Sequence, residues 1–367
     1  LTANGRGNDD FRPCAKRPNR RRLLGAPRCC REGRRMTKAT ISLAEIEDAV
    51  LLACRAPSIH NSQPWYWVLE SATLKLYLDA GWLVTTDGSG RQALLSCGAA
   101  LDHLRVAMAA TGWTTKVERF PDPENHRHLA DIRFQSAAGV TPAQRRAADA
   151  ILCRRSDRLP FGAVTDRPAL VEMLRLATVN HPAQVDVLTA RQRTEVAQAS
   201  HLTDALRMYD AAYHAELDWW TSSFESTTGI PHSALLSAAE GFWVDIGRSF
   251  PVSHVRERRQ HAGDDQATVV VISALGDTRE DILACGETLS VVLLEATVAG
   301  LASCTLTHLT EHPATCDIIS ALTGHPLPQV LVRIGTAPAL EDVPPPTPRR
   351  QLADVFRFRP HGSDDRN

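Results

Sequence analysis

The chain has 367 residues, 43% of them hydrophobic, with 41 Lys+Arg against 42 Asp+Glu and a formal charge of −1. That composition excludes disorder throughout, which needs far fewer apolar residues, and no stretch approaches the ~20 uninterrupted apolar residues of a membrane span. Near-neutral charge argues against a dedicated nucleic-acid binder, and at about 150 residues per domain the length suggests two domains or one large one.

The average charge hides an asymmetry. Residues 1–35 hold ten arginines and one lysine against Asp9, Asp10 and Glu32, about +8, which leaves about −9 on the rest. The segment has no apolar periodicity, and Leu23-Leu24 is too short for the core of a signal peptide despite Arg20-Arg21-Arg22 before it. A basic tail that touches nucleic acid or anionic lipid is one reading. The stronger one is a disordered extension upstream of Met36, outside the fold.

From there the apolar spacing predicts a helix over 42–55, strands over 65–69 and 74–78, and a long helix over 91–111. Strands at 115–120 and 129–134 follow, then helices at 142–153 and 167–178, a short strand at 185–188 and a long helix at 191–220. Residues 222–262 read as irregular. The strand 268–274, helices 279–299 and 311–322 and the strand 330–334 come next, and 343–348 is proline-rich and extended.

Residues 97–112 (CGAALDHLRVAMAATG) lie over 285–300 (CGETLSVVLLEATVAG) without a gap, so Cys97, Gly98, Leu101 and Gly112 meet Cys285, Gly286, Leu289 and Gly300. The order around them also repeats: helix, strand, long helix, glycine, strand. We therefore expect a tandem duplication, with copy one over 36–153, copy two over 154–340 and a tail over 341–367. Copy two would carry an insertion of roughly 65 residues, made of the end of the long helix and the irregular, lid-like stretch about 222–262. Trp219, Trp220, Phe224, Phe242, Trp243 and Phe250 gather in and beside it, in a chain with only 5% aromatics.

The nine cysteines are an odd number without C-x-x-C spacing, and three (Cys14, Cys29, Cys30) lie in the basic segment. Cys54, Cys97, Cys153 and Cys285 fall in apolar helical patterns, as small core residues do. With no signal peptide to export the chain, a cytoplasmic location with reduced thiols is expected. His126 and His128 lack a third ligand at metal spacing, so no zinc is expected.

Two motifs remain. In Arg55-Ala56-Pro57-Ser58-Ile59-His60-Asn61-Ser62-Gln63-Pro64-Trp65, the two prolines fix a non-helical path between a helix and a strand. Ser58, Asn61 and Gln63 then offer the convergent neutral donors and acceptors that a planar heterocycle needs; a polar turn capping a strand is the equal alternative. In Arg154-Arg155-Ser156-Asp157-Arg158, extended alternation puts Arg154, Ser156 and Arg158 on one side, where two guanidiniums and a hydroxyl can hold a phosphate. Spacing alone favours a basic helix end at the negative pole of the dipole. Arg349-Arg350, after a proline run, could join the same anion.

Together these residues resemble the FMN-dependent nitroreductase family. R-x-S-x-R with P-S-x-x-N-x-Q-P-W is similar to the family at large; the duplicated chain and the P-P-x-P-R-R tail are similar to its Acg-type branch, from about 40 to 355. The resemblance implies an α+β fold with mixed, largely antiparallel sheets wrapped by helices, two copies in one monomer mimicking a homodimer. It implies FMN as cofactor and NAD(P)H as electron donor, with a small-molecule nitro or quinone-like acceptor, and neither nucleic acid nor membrane as partner. Arg154, Ser156 and Arg158, with Arg349 and Arg350, would hold the phosphate; Pro57, Ser58, Asn61, Gln63, Pro64 and Trp65 would line the flavin. Copy one has no R-x-S-x-R before its first helix, and copy two has ATVNHPA (177–183) where the Gln-Pro-Trp loop would recur. One FMN per chain is therefore expected. The insertion leaves three readings: an FMN-dependent NAD(P)H oxidoreductase, a flavin-holding protein with occluded FMN and little turnover, or plain aromatic core packing.

Overall fold

The computed structural model describes residues 40–222, 227–251, 263–337 and 345–360. The expectations for 1–35, for Phe224 and for the two ends of the tail fall outside them.

Ser42 opens α1 (Leu43–Ala53) through a reciprocal capping box with Glu45. A turn leads to β1 (Trp65–Glu70), which pairs antiparallel with β2 (Thr73–Leu78). Helix α2 (Arg91–Ala110) follows, then β3 (Trp113–Arg119), β4 (His128–Ser136) and α3 (Pro142–Cys153). Next come α4 (Arg167–Thr178) and β5 (Ala183–Val187), and then a long excursion with α5 (Ala190–Arg207), α6 (Ala211–Thr221) and α7 (Ala238–Phe242). The chain returns through β6 (Thr268–Ala274), α8 (Arg279–Val298), β7 (Ala302–Leu306), α9 (His308–Glu311), α10 (Pro313–Thr323) and β8 (Pro328–Gly335). It closes with α11 (Leu352–Val355) and β9 (Phe356–Arg359).

One sheet runs β3-β4-β2-β1-β9 and the other β5-β6-β8-β7. Read from its other edge, the second sheet is β7-β8-β6-β5, the order of the first four strands in the same chain sequence. All neighbours are antiparallel except β9, which lies parallel to β1. The fold is thus α+β with mixed, largely antiparallel sheets, as expected. In β3 buried or half-buried positions alternate with exposed ones, so one face of that strand meets solvent, while every residue of β6 and β8 is buried because helices cover both faces of the second sheet.

Helices α2 and α8 cross at the centre. A Cβ on Gly98 would stand 2.1 Å from the Leu283 carbonyl oxygen, and one on Gly286 would stand 2.1 Å from that of Leu95. The Cys-Gly repeat in the sequence is this crossing: two backbones approach so closely that only glycine fits. One core spans both sheets through it, including Trp65, Trp67, Leu101 and Leu104 from the first half and Ile272, Leu289 and Val332 from the second. Helix α2 is long and apolar enough to pass for a membrane span, yet 78% of its apolar window is buried inside the protein.

Some expectations shift. The helix expected over 191–220 breaks at Met208, and Asp210 caps a new start. The helix expected over 311–322 is α10, begun by Pro313, and the short α9 just before it was not expected. The excursion in copy two runs from 188 to 267, where β1 and β2 are joined by only Ser71 and Ala72, so it includes α5 and α6 as well as the expected 222–262. The tail forms β9, with three of four residues exposed.

Candidate functional site

The loop between α1 and β1 is built from unusual backbone. His60, Asn61 and Gln63 have φ of 48°, 57° and 53°, in the left-handed region that costs non-glycine residues free energy. Side chains hold them there. Ser58 Oγ accepts from the Gln63 amide at 3.0 Å, and the Ile59 amide donates to Ser96 Oγ at 3.2 Å. Asn61 Nδ2 donates to the carbonyls of Gly229 at 3.0 Å and Pro348 at 3.2 Å, tying the loop to the excursion and to the tail.

Pro57, Ser58 and Asn61 line a cavity that Arg154, Ser156 and Arg158 also line, together with Ile230, Leu236, Val244 and Phe250 of the excursion and with Arg349. The two sequence motifs, 99 positions apart at Arg55 and Arg154, therefore meet. Among the described residues, seven arginines line this cavity (Arg55, Arg154, Arg155, Arg158, Arg248, Arg333 and Arg349) and no aspartate or glutamate does. Two are neutralised from behind: Arg248 pairs with Glu311, and Arg333 with Asp265 at 2.7 Å.

Three others form a cradle. Arg349 Nε donates to the Cys54 carbonyl at 2.8 Å and Nη2 to that of Arg55 at 3.1 Å, so it caps the end of α1. Arg154, at the end of α3, donates Nη2 to the Arg55 carbonyl at 3.3 Å, and Arg55 donates to that of Thr347 at 3.4 Å. Among the described residues, Nε and Nη1 of Arg154 are buried without any partner. Burial and the neighbouring Arg55 bring Arg154 down to about 10; burial, Arg55 and Arg154 bring Arg349 down to about 9. Crowded cations with idle, buried donors suit an anionic ligand.

Arg158, in the same cavity, also meets the excursion. Its Nη1 donates to the Ala234 carbonyl at 3.2 Å and its guanidinium lies 5.1 Å from the centre of the Phe250 ring. His60 is nearby, its ring 6.3 Å from that of Trp220 and 6.0 Å from that of Phe250. Burial, with Arg248 adding to it, pulls His60 down to about 3, so the imidazole is neutral.

Four residues expected to face the ligand do not line the cavity. Gln63 is fully buried, donating Nε2 to the Thr227 carbonyl at 2.8 Å and accepting from the Arg350 amide at 2.9 Å. Pro64 and Trp65 are buried, the latter inside the first sheet's core. Arg350 pairs with Asp79 at 3.0 Å and covers the Trp82 ring, so its charge is spent on the framework. Conversely, sequence reasoning passed over Arg55, Gln92, Ser96 and Thr307, all in the cavity wall. Arg55 was visible beside Pro57; the others sit in apolar helical or strand patterns that give no such signal.

Glu287 on α8 meets two arginines away from this cavity. Glu287 is buried there, accepting from Arg119 at 2.8 and 2.9 Å and from Arg105 at 3.1 Å. These same arginines lower His181 of the ATVNHPA loop, after burial does, so that loop lies beside them. Asn180 in that loop is exposed.

The chain belongs to the nitroreductase family, in the branch of Acg: it is 52% identical, over 88% of its length and 98% of the relative's, to "Putative NAD(P)H nitroreductase acg" of Mycobacterium tuberculosis. It is also 34% identical, over 85% of its length and 91% of the relative's, to "Putative NAD(P)H nitroreductase Rv3131" of the same organism. Among solved structures it is similar to the FMN-dependent nitroreductase NfnB of Mycobacterium smegmatis, at 16% identity and a TM-score of 0.37, with 59% of this chain over 99% of that one. No family model matches the chain.

Proposed function

We propose that the protein is a cytoplasmic, FMN-binding, NAD(P)H-dependent oxidoreductase of nitroreductase type, a monomer that mimics a dimer and holds one FMN between its halves. The observation that carries this reading is the pair of idle, buried donors on Arg154 inside a cavity lined, among the described residues, by seven arginines and no carboxylate. Those residues fit a phosphate-bearing planar cofactor. Arg154, Arg349, Arg55 and Ser156 would hold the phosphate, and Pro57, Ser58, Asn61 and Ser96 would line the ribityl chain and ring. Arg158 would stand toward the ring and Phe250, which makes it a source of positive potential there rather than a second phosphate ligand.

The chemistry supplied at that site is hydride transfer in two half-reactions, from NAD(P)H and then to a nitro or quinone-like acceptor. The chain's own part is to bind, orient and shield. The strained loop fixes its amides and hydroxyls before ligand arrives, so little ordering remains to be done on binding. Neutral His60 presents an uncharged edge, and Ile230, Leu236, Val244 and Phe250 keep water from that end. The described cysteines are all free thiols, in keeping with the cytoplasm.

A second reading is storage of occluded FMN with little turnover. The bonds that fasten the excursion favour it: Gln63 to Thr227, Asn61 to Gly229, Arg248 to Glu311, and Thr86 to Glu216 at 2.9 Å. Anaerobic NADPH separates the two. Rapid bleaching of flavin absorption supports the oxidoreductase; a colour that persists and yields only slowly to dithionite supports storage. Protein that takes up no flavin overturns both.

A further inference from the structure

One arginine in the cavity wall has no part in the cradle and comes from the second sheet. Arg333, on β8, is 1% exposed yet lines the cavity, and so does Cys304, its neighbour across the sheet on β7. Its guanidinium is tied down on one side only. Nε and Nη2 donate to the Asp265 carboxylate at 3.1 and 2.7 Å, and Nη2 also donates to the Leu159 carbonyl at 3.1 Å. Among the described residues Nη1 makes no hydrogen bond, and it is the arm left to meet the cavity.

The partners of Arg333 place it at the excursion's end of the site. Asp265 is buried and also accepts from the Phe161 amide at 2.7 Å and from Arg193 Nη2 at 3.2 Å, while its own amide donates to the Trp243 carbonyl at 3.2 Å. Val244, the residue after Trp243, lines the cavity with Ile230, Leu236 and Phe250. Leu159 directly follows Arg158, whose guanidinium lies over Phe250 and bonds the Ala234 carbonyl. Two arginines thus reach one apolar, ring-lined end of the cavity on the partners Asp265, Leu159 and Ala234. The cradle shares none of these; it is built on the carbonyls of Cys54, Arg55 and Thr347.

We propose that Arg333 Nη1 and Arg158 form a carboxylate-binding corner, and that the electron acceptor is a planar conjugated molecule carrying a carboxylate. The proposal rests on the reading of the cavity as an FMN site. FMN brings one phosphate and the cradle takes it, so the corner is left for a second anion. Asp265 already balances Arg333, which leaves the corner charge for a monoanion and not for a phosphate dianion. Two guanidiniums held in fixed positions suit the two oxygens of a carboxylate. Ile230, Leu236 and Val244 give the body of the acceptor an apolar wall, and neutral His60, 6.0 Å from the Phe250 ring, gives it a flat uncharged neighbour. An uncharged acceptor would leave Nη1 unsatisfied in a water-poor space, which costs binding. Arg333 is on this account a specificity-determining residue: it selects which acceptor is held and takes no part in moving the hydride.

The test is spectral titration of the full chain, loaded with oxidised FMN and without reductant, using para-nitrobenzoate and its uncharged counterpart para-nitrobenzamide. Perturbation of the flavin absorption reads the binding of each probe without turnover. We expect the wild type to bind the carboxylate about tenfold or more tightly than the amide, and the ratio to fall to about one in Arg333→Lys. Lysine leaves Asp265 a cation and withdraws the second arm. Equal binding of the two probes by the wild type, or a ratio that the substitution leaves unchanged, overturns the corner. Loss of FMN from folded Arg333→Lys also overturns it, since Arg333 would then belong to the cofactor. A crystal structure of the wild type with FMN and para-nitrobenzoate needs no variant: a carboxylate bonded to Arg333 Nη1 is expected, and a carboxylate placed elsewhere overturns the corner while the FMN reading stands. Wild-type protein that takes up no FMN overturns both.

Discussion

Arg154 is the residue on which the cofactor reading turns. Its two idle donors, once charge-assisted bonds to a phosphate form, are together worth about 3 kcal/mol or more. Arg154→Ala should therefore weaken FMN binding a hundredfold or more, read by quenching of flavin fluorescence. Asn180→Ala, in the exposed loop of the second half, should leave the same titration unchanged. Retention of flavin by the first variant and loss by the second would reverse the assignment of the halves. Both motifs could be read in the sequence because each is contiguous: Pro57, Ser58 and Asn61 stand in one loop, Arg154, Ser156 and Arg158 in one short run. What could not be read was direction. Three left-handed residues turn Gln63 away from the cavity, and no rule of alternation foresees that. Arg55 stood in view at the head of the loop, but its place in the cradle depends on Arg349, bound to its carbonyl from 294 positions away.

At the scale of elements, the crossing of α2 and α8 is the strictest fit. A methyl group on Gly98 or Gly286 would strike backbone rather than a movable side chain. Gly98→Ala and Gly286→Ala should each destabilise the protein by at least about 3 kcal/mol, measured by denaturant unfolding. A loss below about 1 kcal/mol would show that the helices can move apart. These two helices were legible because buried on all sides, with glycine at matching positions, they repeat in the sequence. The break between α5 and α6 was less so: Asp210 is a good N-cap, but the surrounding apolar period continues across it. Strand β9 was missed because the Phe356–Arg359 stretch has only its first residue buried, and its partner β1 lies almost 290 residues earlier in the chain.

Over the whole molecule, buried titratable groups set the response to acid. Burial holds His60 and His308 near 3, against 6.5 when unfolded, so the unfolded chain takes their protons first. The stability this represents is whole above pH 6.5 and drains as the pH falls toward 3. Glu311, held near 2 by Arg248 despite its burial, acts in the same sense as the pH falls from 4.5 toward 2. Asp102 opposes them: raised to about 6, it takes its proton in the folded state first, between pH 6 and 3.8. His103, lowered by burial as well, acts with the two imidazoles, so near pH 5 the unfolded chain binds more protons than the folded one and the urea midpoint should fall steadily below pH 6.5. A midpoint flat from pH 7 to 4.5 would contradict the burial of the two imidazoles. The −9 charge of the body, legible from the start, says nothing of this, since it is local burial that moves each group.

The central claim is that one FMN sits between the two halves of a single chain, held by Arg154. Native mass spectrometry of the protein saturated with FMN tests it most directly. The account predicts one chain carrying one FMN, and none in Arg154→Ala under the same conditions. Two FMN per chain, or one retained by the variant, would contradict it.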